Sequence, residues 1–283
     1  MGRQYIERMS QRQAAAGSPF GGRLAARLCS HLRSHLRNYL QTGLGWRLPR
    51  PCAVCGNWAA SGLCGDCEAR FVQQQPARCP RCALAQPGGL VCGACLRAPP
   101  PYLRCIALAD YGFPWDRLIA QFKFQAQPER ARLLAQALHQ AVLRAGQPGG
   151  PGATAAPVQR VYRILPVPLS DARLAERGYN QAWELARRLA ALQGVAAEAH
   201  WLQRLRDTPH QVGLSRAGRQ RNLLDAMWLT PAGAAGLAGR SVALVDDVMT
   251  TGVTVAAASQ VLLAAGAASV QVWVLARTPS PAA

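Results

Sequence analysis

The hydrophobic pattern changes period along the chain, and that change carries most of the fold. Short, nearly continuous apolar runs occupy 160–168, 241–246 and 269–277, and 198–205 (EAHWLQRL) also has strand character. At about 179–192 the apolar positions instead recur every three or four residues, and a further helix is read over about 252–265. The first pattern suits strands buried on both faces, and the second suits helices with one apolar stripe. Strand and helix patterns that alternate in this way predict βαβ units on a mainly parallel, twisted sheet, an α/β fold that takes its ligands at the carboxyl ends of the strands. Upstream, 102–111 (YLRCIALADY) reads as a further strand. Pro114 opens a helix through WDRLIAQFKF, and a second helix is predicted over about 129–144. The stretch 146–157 (GQPGGPGATAAP) reads as a Gly/Pro-rich loop, and an Arg-rich irregular stretch runs from 205 to about 222.

One strand ends in a pattern with chemical meaning. The apolar run 242–245 leads into Asp246 and Asp247, and Met249-Thr250-Thr251-Gly252-Val253-Thr254 then turns the chain into the next helix. Gly252 permits an unusual φ and a close approach of the backbone. The threonine hydroxyls stand beside amides freed at a helix amino terminus, a concavity suited to a dianionic phosphate. Adjacent carboxylates repel a phosphate, so their natural partners are hydroxyl donors or Mg²⁺ in a water-rich shell. A ribose 5-phosphate satisfies both halves, with its diol on the aspartates and its phosphate on the Thr-Gly turn.

The cysteines form a separate module over 50–98, closed by Pro99, Pro100 and Pro101. Four Cys-x-x-Cys pairs are spaced as Cys52, Cys55, Cys64, Cys67 and then Cys79, Cys82, Cys92, Cys95. Each pair offers two sulfurs to one metal, and two pairs complete a closed tetrahedral shell with no open position, so the metals are structural. The paired spacing favours two Zn²⁺ ions, although thiolates alone leave an iron–sulfur cluster open. Sequential and interleaved pairing of the knuckles both remain open. Cys29 and Cys105 read as unpaired thiols. Arg70, Arg78, Arg81 and Arg97 lie in the module with few aromatics (Trp58 and Phe71), which leaves DNA contact and plain scaffolding as alternatives.

Charge and length bound the rest. The 283 residues allow one sizeable α/β domain with a small second module. The formal charge is +18, and two Zn²⁺ on eight thiolates lower it to about +14, a surface that favours polyanions. Lys123 is the one lysine. Residues 1–48 read as a basic extension in which Leu24, Leu28, Leu32, Leu36, Leu40 and Leu44 recur every fourth position. That stripe drifts about 40° per step around a helix. It suits an anionic membrane face, a nucleic acid, or packing on the body of the protein; Met9 is an alternative start. No apolar run reaches the roughly 18 residues of a membrane span, and no secretory signal is evident, so the expected location is the cytoplasm, with the inner face of the membrane as a further site.

The segment 241–254 resembles the phosphoribosyl pyrophosphate signature of type I phosphoribosyltransferases. The resemblance implies that fold, with Asp246 and Asp247 on the ribose hydroxyls and Thr250, Thr251, Gly252, Val253 and Thr254 around the 5-phosphate. By position, 169–186 (LSDARLAERGYNQAWELA) matches that family's pyrophosphate loop, which places Arg173 and Arg177 on the leaving diphosphate, with Asn180 and Gln181 starting a helix. The stretch 202–223, with Arg204, Arg206 and Arg216, matches its mobile loop. RGYNQ at 177–181, the run 204–216, RQRN at 219–222, VDDVMTTGVT, the paired cysteines and Lys123 within FKF together resemble the competence protein F family, ComF, which includes GntX-like proteins.

That resemblance covers about 50–277, leaving 278–283 as a tail, and implies a role in natural transformation, helping single-stranded DNA reach the cytoplasm. It also implies phosphoribosyl pyrophosphate with Mg²⁺ as ligand, a double zinc ribbon, and competence-machinery proteins or single-stranded DNA as partners. It leaves open a transferase, a non-catalytic accessory or sensor that uses the pocket for a sugar phosphate, and a nucleotide-salvage enzyme. No general base stands out. The chain runs only briefly past 277, so any cover over an acceptor is expected from upstream segments.

Overall fold

The computed structural model describes residues 50–124, 127–147, 159–204 and 227–279. The leucine stripe, Cys29, Arg206, Arg216 and most of the loops at 146–157 and 205–222 lie outside the described residues. A short antiparallel pair, β1 (Arg50–Pro51) and β2 (Trp58–Ala59), precedes helix α1 (Gly65–Glu68), and α2 (Gly93–Arg97) ends the cysteine module. Next come β3 (Arg104–Asp110), α3 (Trp115–Phe124) and α4 (Arg130–Gly146). They are followed by β4 (Arg163–Pro166), α5 (Asp171–Arg177), α6 (Gln181–Gln193) and β5 (Ala196–Ala197). An antiparallel pair, β6 (Leu202–Arg204) and β7 (Met227–Leu229), stands apart from the main sheet. Helix α7 (Pro231–Leu237), β8 (Ser241–Met249), α8 (Val253–Ala264) and β9 (Ser269–Arg277) complete the order.

The main sheet has the order β3-β9-β8-β4-β5, and every neighbouring pair is parallel. Its centre is the long pairing of β8 with β9, in register from Ser241↔Ser269 to Met249↔Arg277. The period of two hidden inside the apolar runs sorts residues between the faces. Ala243 and Val245 join the cluster built with Leu134 and Leu138 of α4 and Leu185 and Leu189 of α6. Val242 and Leu244 join the opposite cluster, with Val255, Ala258 and Leu262 of α8. Helices on both faces and an apolar run through the middle strands are what a buried parallel sheet requires.

The expected strand at 198–205 is corrected. The main sheet ends at Ala197, and among the described residues of this stretch only Leu202–Arg204 forms a further strand, in the separate pair with β7. The last ladder bond runs from the Glu198 amide to the Ile164 carbonyl (3.0 Å), and the Glu198 carboxylate pairs with Arg163 (3.3 Å). The region expected as a loop after β4 contains α5, which has Asp171 in its first turn and Arg177 in its last, the placement that the helix dipole favours. Helix α7 was not expected, since PAGAAGL shows no apolar stripe. Thr230 caps it by accepting from the Gly233 amide (3.2 Å), and Pro231 opens it.

Candidate functional site

The carboxyl rim of the sheet gathers most of the predicted site residues that are described. β8 carries Asp246 and Asp247 out of the core, and the chain bends through Thr250 and Thr251, both exposed. Gly252 sits at φ +79 as the amino cap of α8, a left-handed conformation that strains any residue with a Cβ. The first-turn amides of α8, beginning with Val253 and Thr254, have no carbonyl of their own helix to bond, and so face the loop as donors. The only side-chain bond at this cap is a long one, 3.5 Å from the Val253 amide to the Thr251 hydroxyl, among the described residues.

The two aspartates are not equivalent. Asp247 is buried and forms an ion pair with Lys123 of α3, whose Nζ lies 2.8 Å from Oδ1. Its carboxylate also accepts from the Val248 amide (2.6 Å). Among the described residues, Asp246 accepts only from the Asp247 amide (2.8 Å). Burial of its carboxyl, and then the charge of Asp247, push its pKa up to about 7, against the pull of Lys123 and Arg177. A carboxyl poised there can accept hydroxyl protons once ionised.

The segment after β4 is tied to the same place. Asn180 caps α6 by accepting from the amides of Ala182 and Trp183 (2.9 and 3.3 Å), and its own amide donates to the Val167 carbonyl (3.2 Å). The Tyr179 hydroxyl donates to the Phe122 carbonyl, one residue before Lys123. Arg177 lies 5.2 Å over the Phe124 ring, and its pull on Asp246 puts its charge near the aspartates. Ser170 Oγ and Gln181 Nε2 are buried with no hydrogen-bond partner among the described residues, an arrangement that invites a polar ligand. Arg173 sits on α5, half-buried, and Arg204 on β6; Arg206 and Arg216 lie outside the described residues.

The cysteines divide sequentially. The sulfurs of Cys52, Cys55, Cys64 and Cys67 lie within 4.8 Å of one another, as do those of Cys79, Cys82, Cys92 and Cys95, which removes the interleaved alternative. Cys55 to Cys64 is 3.5 Å and Cys82 to Cys92 is 3.6 Å. Both are close to the roughly 3.8 Å edge of a tetrahedron with Zn–S bonds of about 2.3 Å. The knuckle turns also supply what a thiolate needs. Burial opposes ionisation of Cys52, but amides of Cys55, Cys64 and Val54 aimed at its sulfur outweigh that and bring its pKa down to about 6. The donor set fits structural zinc. Cys105 is a free, buried thiol beside the Met249 sulfur (3.8 Å).

Residues 44–96 match the double zinc ribbon domain family, and residues 155–283 match the phosphoribosyl transferase domain family. The class is thus a phosphoribosyltransferase-type α/β domain behind a double zinc ribbon. Among solved structures, the fold is similar to a glutamine phosphoribosylpyrophosphate amidotransferase from B. subtilis (16% identity, 55% of this chain and 30% of that one, TM-score 0.34). It is also similar to the adenine phosphoribosyltransferase from Thermoanaerobacter pseudethanolicus (12% identity, 54% and 83%, TM-score 0.32). Much nearer in sequence are the DNA utilization protein YhgH of Salmonella typhimurium, 40% identical over 83% of this chain and 97% of that protein, and Competence protein F of Haemophilus influenzae, 34% identical over 77% and 92%. The chain belongs to this family of competence protein F and YhgH.

Several residues around the rim had no role in the sequence reading. Lys123 stood out only as the one lysine and as part of FKF, and its aspartate partner is 124 positions away in sequence. Nothing in the local pattern singles out Tyr179 as a tie to α3, or the buried Arg277 at the end of β9.

Proposed function

We propose that this protein binds phosphoribosyl pyrophosphate, carried with Mg²⁺, and acts in natural competence, in the uptake or handling of single-stranded DNA in the cytoplasm. The observation that carries the reading is the rim itself: an aspartate pair, one member charge-paired with Lys123 at 2.8 Å, followed by a left-handed glycine that opens the amino terminus of α8. In this reading Asp246 and Asp247 accept from the ribose 2- and 3-hydroxyls. Thr250, Thr251, Gly252, Val253 and Thr254 surround the 5-phosphate. Arg173 and Arg177, with Arg204, Arg206 and Arg216 of the following stretch, neutralise the diphosphate as it leaves C1 and the ribose becomes oxocarbenium-like. Mg²⁺, when bound with the diphosphate, supplies further neutralisation of that leaving group. The ribbons, each with its Zn²⁺, form a rigid module at 50–98 beside the transferase-type domain at 102–277, and competence-machinery proteins are further partners.

The test is binding and turnover of isotope-labelled phosphoribosyl pyrophosphate with Mg²⁺, with and without single-stranded DNA and nucleobases. Acceptor-dependent release of diphosphate, abolished in Asp246→Asn/Asp247→Asn, supports transfer. No binding by the wild-type protein would overturn the reading. A second reading, a non-catalytic accessory that holds a sugar phosphate, is in keeping with the names of the relatives, DNA utilization protein and Competence protein F. Tight binding without release selects it. No helix among the described residues is long and apolar enough to cross a membrane.

A further inference from the structure

One buried guanidinium joins three segments that are distant in sequence. Arg277, 7% exposed, closes β9 beneath the phosphate loop. Its Nε donates to the carbonyl of Cys82 (3.0 Å), a ligand position of the second ribbon. Its Nη1 donates to the carbonyls of Met249 (3.0 Å) and Thr278 (2.9 Å), and to that of Thr250. No carboxylate pairs with it among the described residues, so carbonyl dipoles engage its Nε and Nη1 without cancelling its charge. A buried cation left in that state is costly unless an anion comes near.

The peptide plane turns this contact into an aiming device. In a trans peptide the carbonyl and the next residue's N–H point in opposite directions. The Met249 carbonyl, held by both Arg277 and the Thr278 amide of the sheet (3.0 Å), and the Thr250 carbonyl, held by Arg277, therefore aim the amides of Thr250 and Thr251 away from Arg277, toward the exposed side of the loop. Neither amide has a hydrogen-bond partner among the described residues. The second ribbon braces the arrangement elsewhere: Arg81 donates to the carbonyls of Tyr102 and Leu103 (3.3 and 3.1 Å), and the Tyr102 hydroxyl lies close beneath Gly252.

We propose that Arg277 is a positioning residue for the 5-phosphate, and that the second ribbon holds Arg277 in place through the Cys82 carbonyl, so that metal at Cys79, Cys82, Cys92 and Cys95 sets the affinity of a loop it does not touch. This rests on the phosphoribosyl reading of the loop. It assigns the second zinc site a part in ligand binding, in addition to holding its own ribbon together.

The test uses the full, zinc-loaded chain with two probes, ribose 5-phosphate and inorganic diphosphate, titrated by calorimetry alongside a metal count. Arg277→Gln is expected to weaken ribose 5-phosphate at least tenfold while diphosphate, held by Arg173 and Arg177, changes less than threefold. Arg277→Lys, which keeps the charge but loses the fork, is expected to fall between. Cys79→Ser/Cys82→Ser, which empties the second site, should reproduce the selective loss, whereas Cys52→Ser/Cys55→Ser should not; unchanged ribose 5-phosphate affinity in the first double variant overturns the ribbon's part. If wild type binds neither probe, the phosphoribosyl reading itself fails. If wild type binds ribose 5-phosphate and Arg277→Gln binds it equally well, this inference alone fails. Equal weakening toward both probes in Arg277→Gln and Arg277→Lys would show a general loss of structure and overturn the positioning role.

Discussion

The two ribbons present the same four thiols at nearly the same spacing, yet they are joined to the sheet in different proportions of burial and hydrogen bonding. The first is joined by burial: Ala59, Leu63, Cys67 and Val72 enter the cluster that contains Leu134 and Leu138 of α4. Its arginine is peripheral, since Arg70 is exposed and lies 5.3 Å over the Phe71 ring. The second ribbon keeps Cys79, Cys92 and Cys95 in a small cluster with Val91, and sends Ala83, with Cys82 packed beside it, into the core on the other face of the sheet. It also reaches the sheet through arginines: Arg78 pairs with Asp110 at the end of β3 (2.6 Å), Arg81 holds the carbonyls that precede β3, and Arg277 holds Cys82. Identical metal chemistry thus serves two different joints. Burial is non-directional and sustains stability, whereas hydrogen bonds from planar guanidinium groups fix direction and serve a loop that must be aimed.

The largest expected effect tests the first joint. Leu63→Ala should cost about 2–5 kcal/mol of stability, read as a lower denaturation midpoint, with affinity for ribose 5-phosphate unchanged below the transition. A loss of affinity in the still-folded variant would erase the division of labour. On the second joint, Arg81→Ala leaves two carbonyls without their charged donor and should cost about 1.5–3 kcal/mol, this time with weaker ribose 5-phosphate binding. Stability alone moving would count against it.

Acidity offers a further probe, because the rim beside the second joint carries a carboxyl raised toward neutrality. Asp246, raised to about 7, holds its proton in the folded chain where the unfolded chain has lost it. Its contribution to stability is therefore present below about pH 4, the ordinary carboxyl range, and is lost as pH rises through about 7. Ribose binding needs the ionised acceptor and runs the other way, rising about tenfold from roughly pH 6 to 8. Asp246→Asn should remove that rise, leaving only the ligand's own phosphate titration near about pH 6, and a profile identical to wild type would refute the assignment. The smallest effect belongs to Arg70→Ala, which should change stability by less than about 1 kcal/mol and leave ribose 5-phosphate affinity alone. A larger change would mean that the first ribbon also relies on its arginine.

What was legible in the sequence was local. The run 242–245, the aspartates and the Thr-Gly turn lie on one short stretch, so β8, the loop and α8 could be read directly. The Cys-x-x-Cys knuckles are local too, but their pairing is not: four knuckles combine in more than one way, and only the clustering of sulfurs within 4.8 Å decides between them. The stretch 198–205 misled because its apolar residues satisfy a strand pattern without revealing which partner the strand takes; the main sheet stops at Ala197 and Leu202–Arg204 pairs with β7. Lys123 and Arg277 act on atoms brought near only by the sheet order β3-β9-β8, and no periodicity encodes that.

The ion pair between Lys123 and Asp247 has a practical corollary. Lysine occurs once in the chain, and that single amine, less than a fifth exposed, stands on the carboxylate of the candidate sugar site. Apart from the chain's own amino terminus, an amine-directed reagent therefore has one address on this protein. The extent of labelling becomes a gauge of whether the rim is open or covered. On the phosphoribosyl reading, a bound sugar phosphate is expected to slow the labelling and its departure to restore it, an occupancy readout that needs no engineered probe.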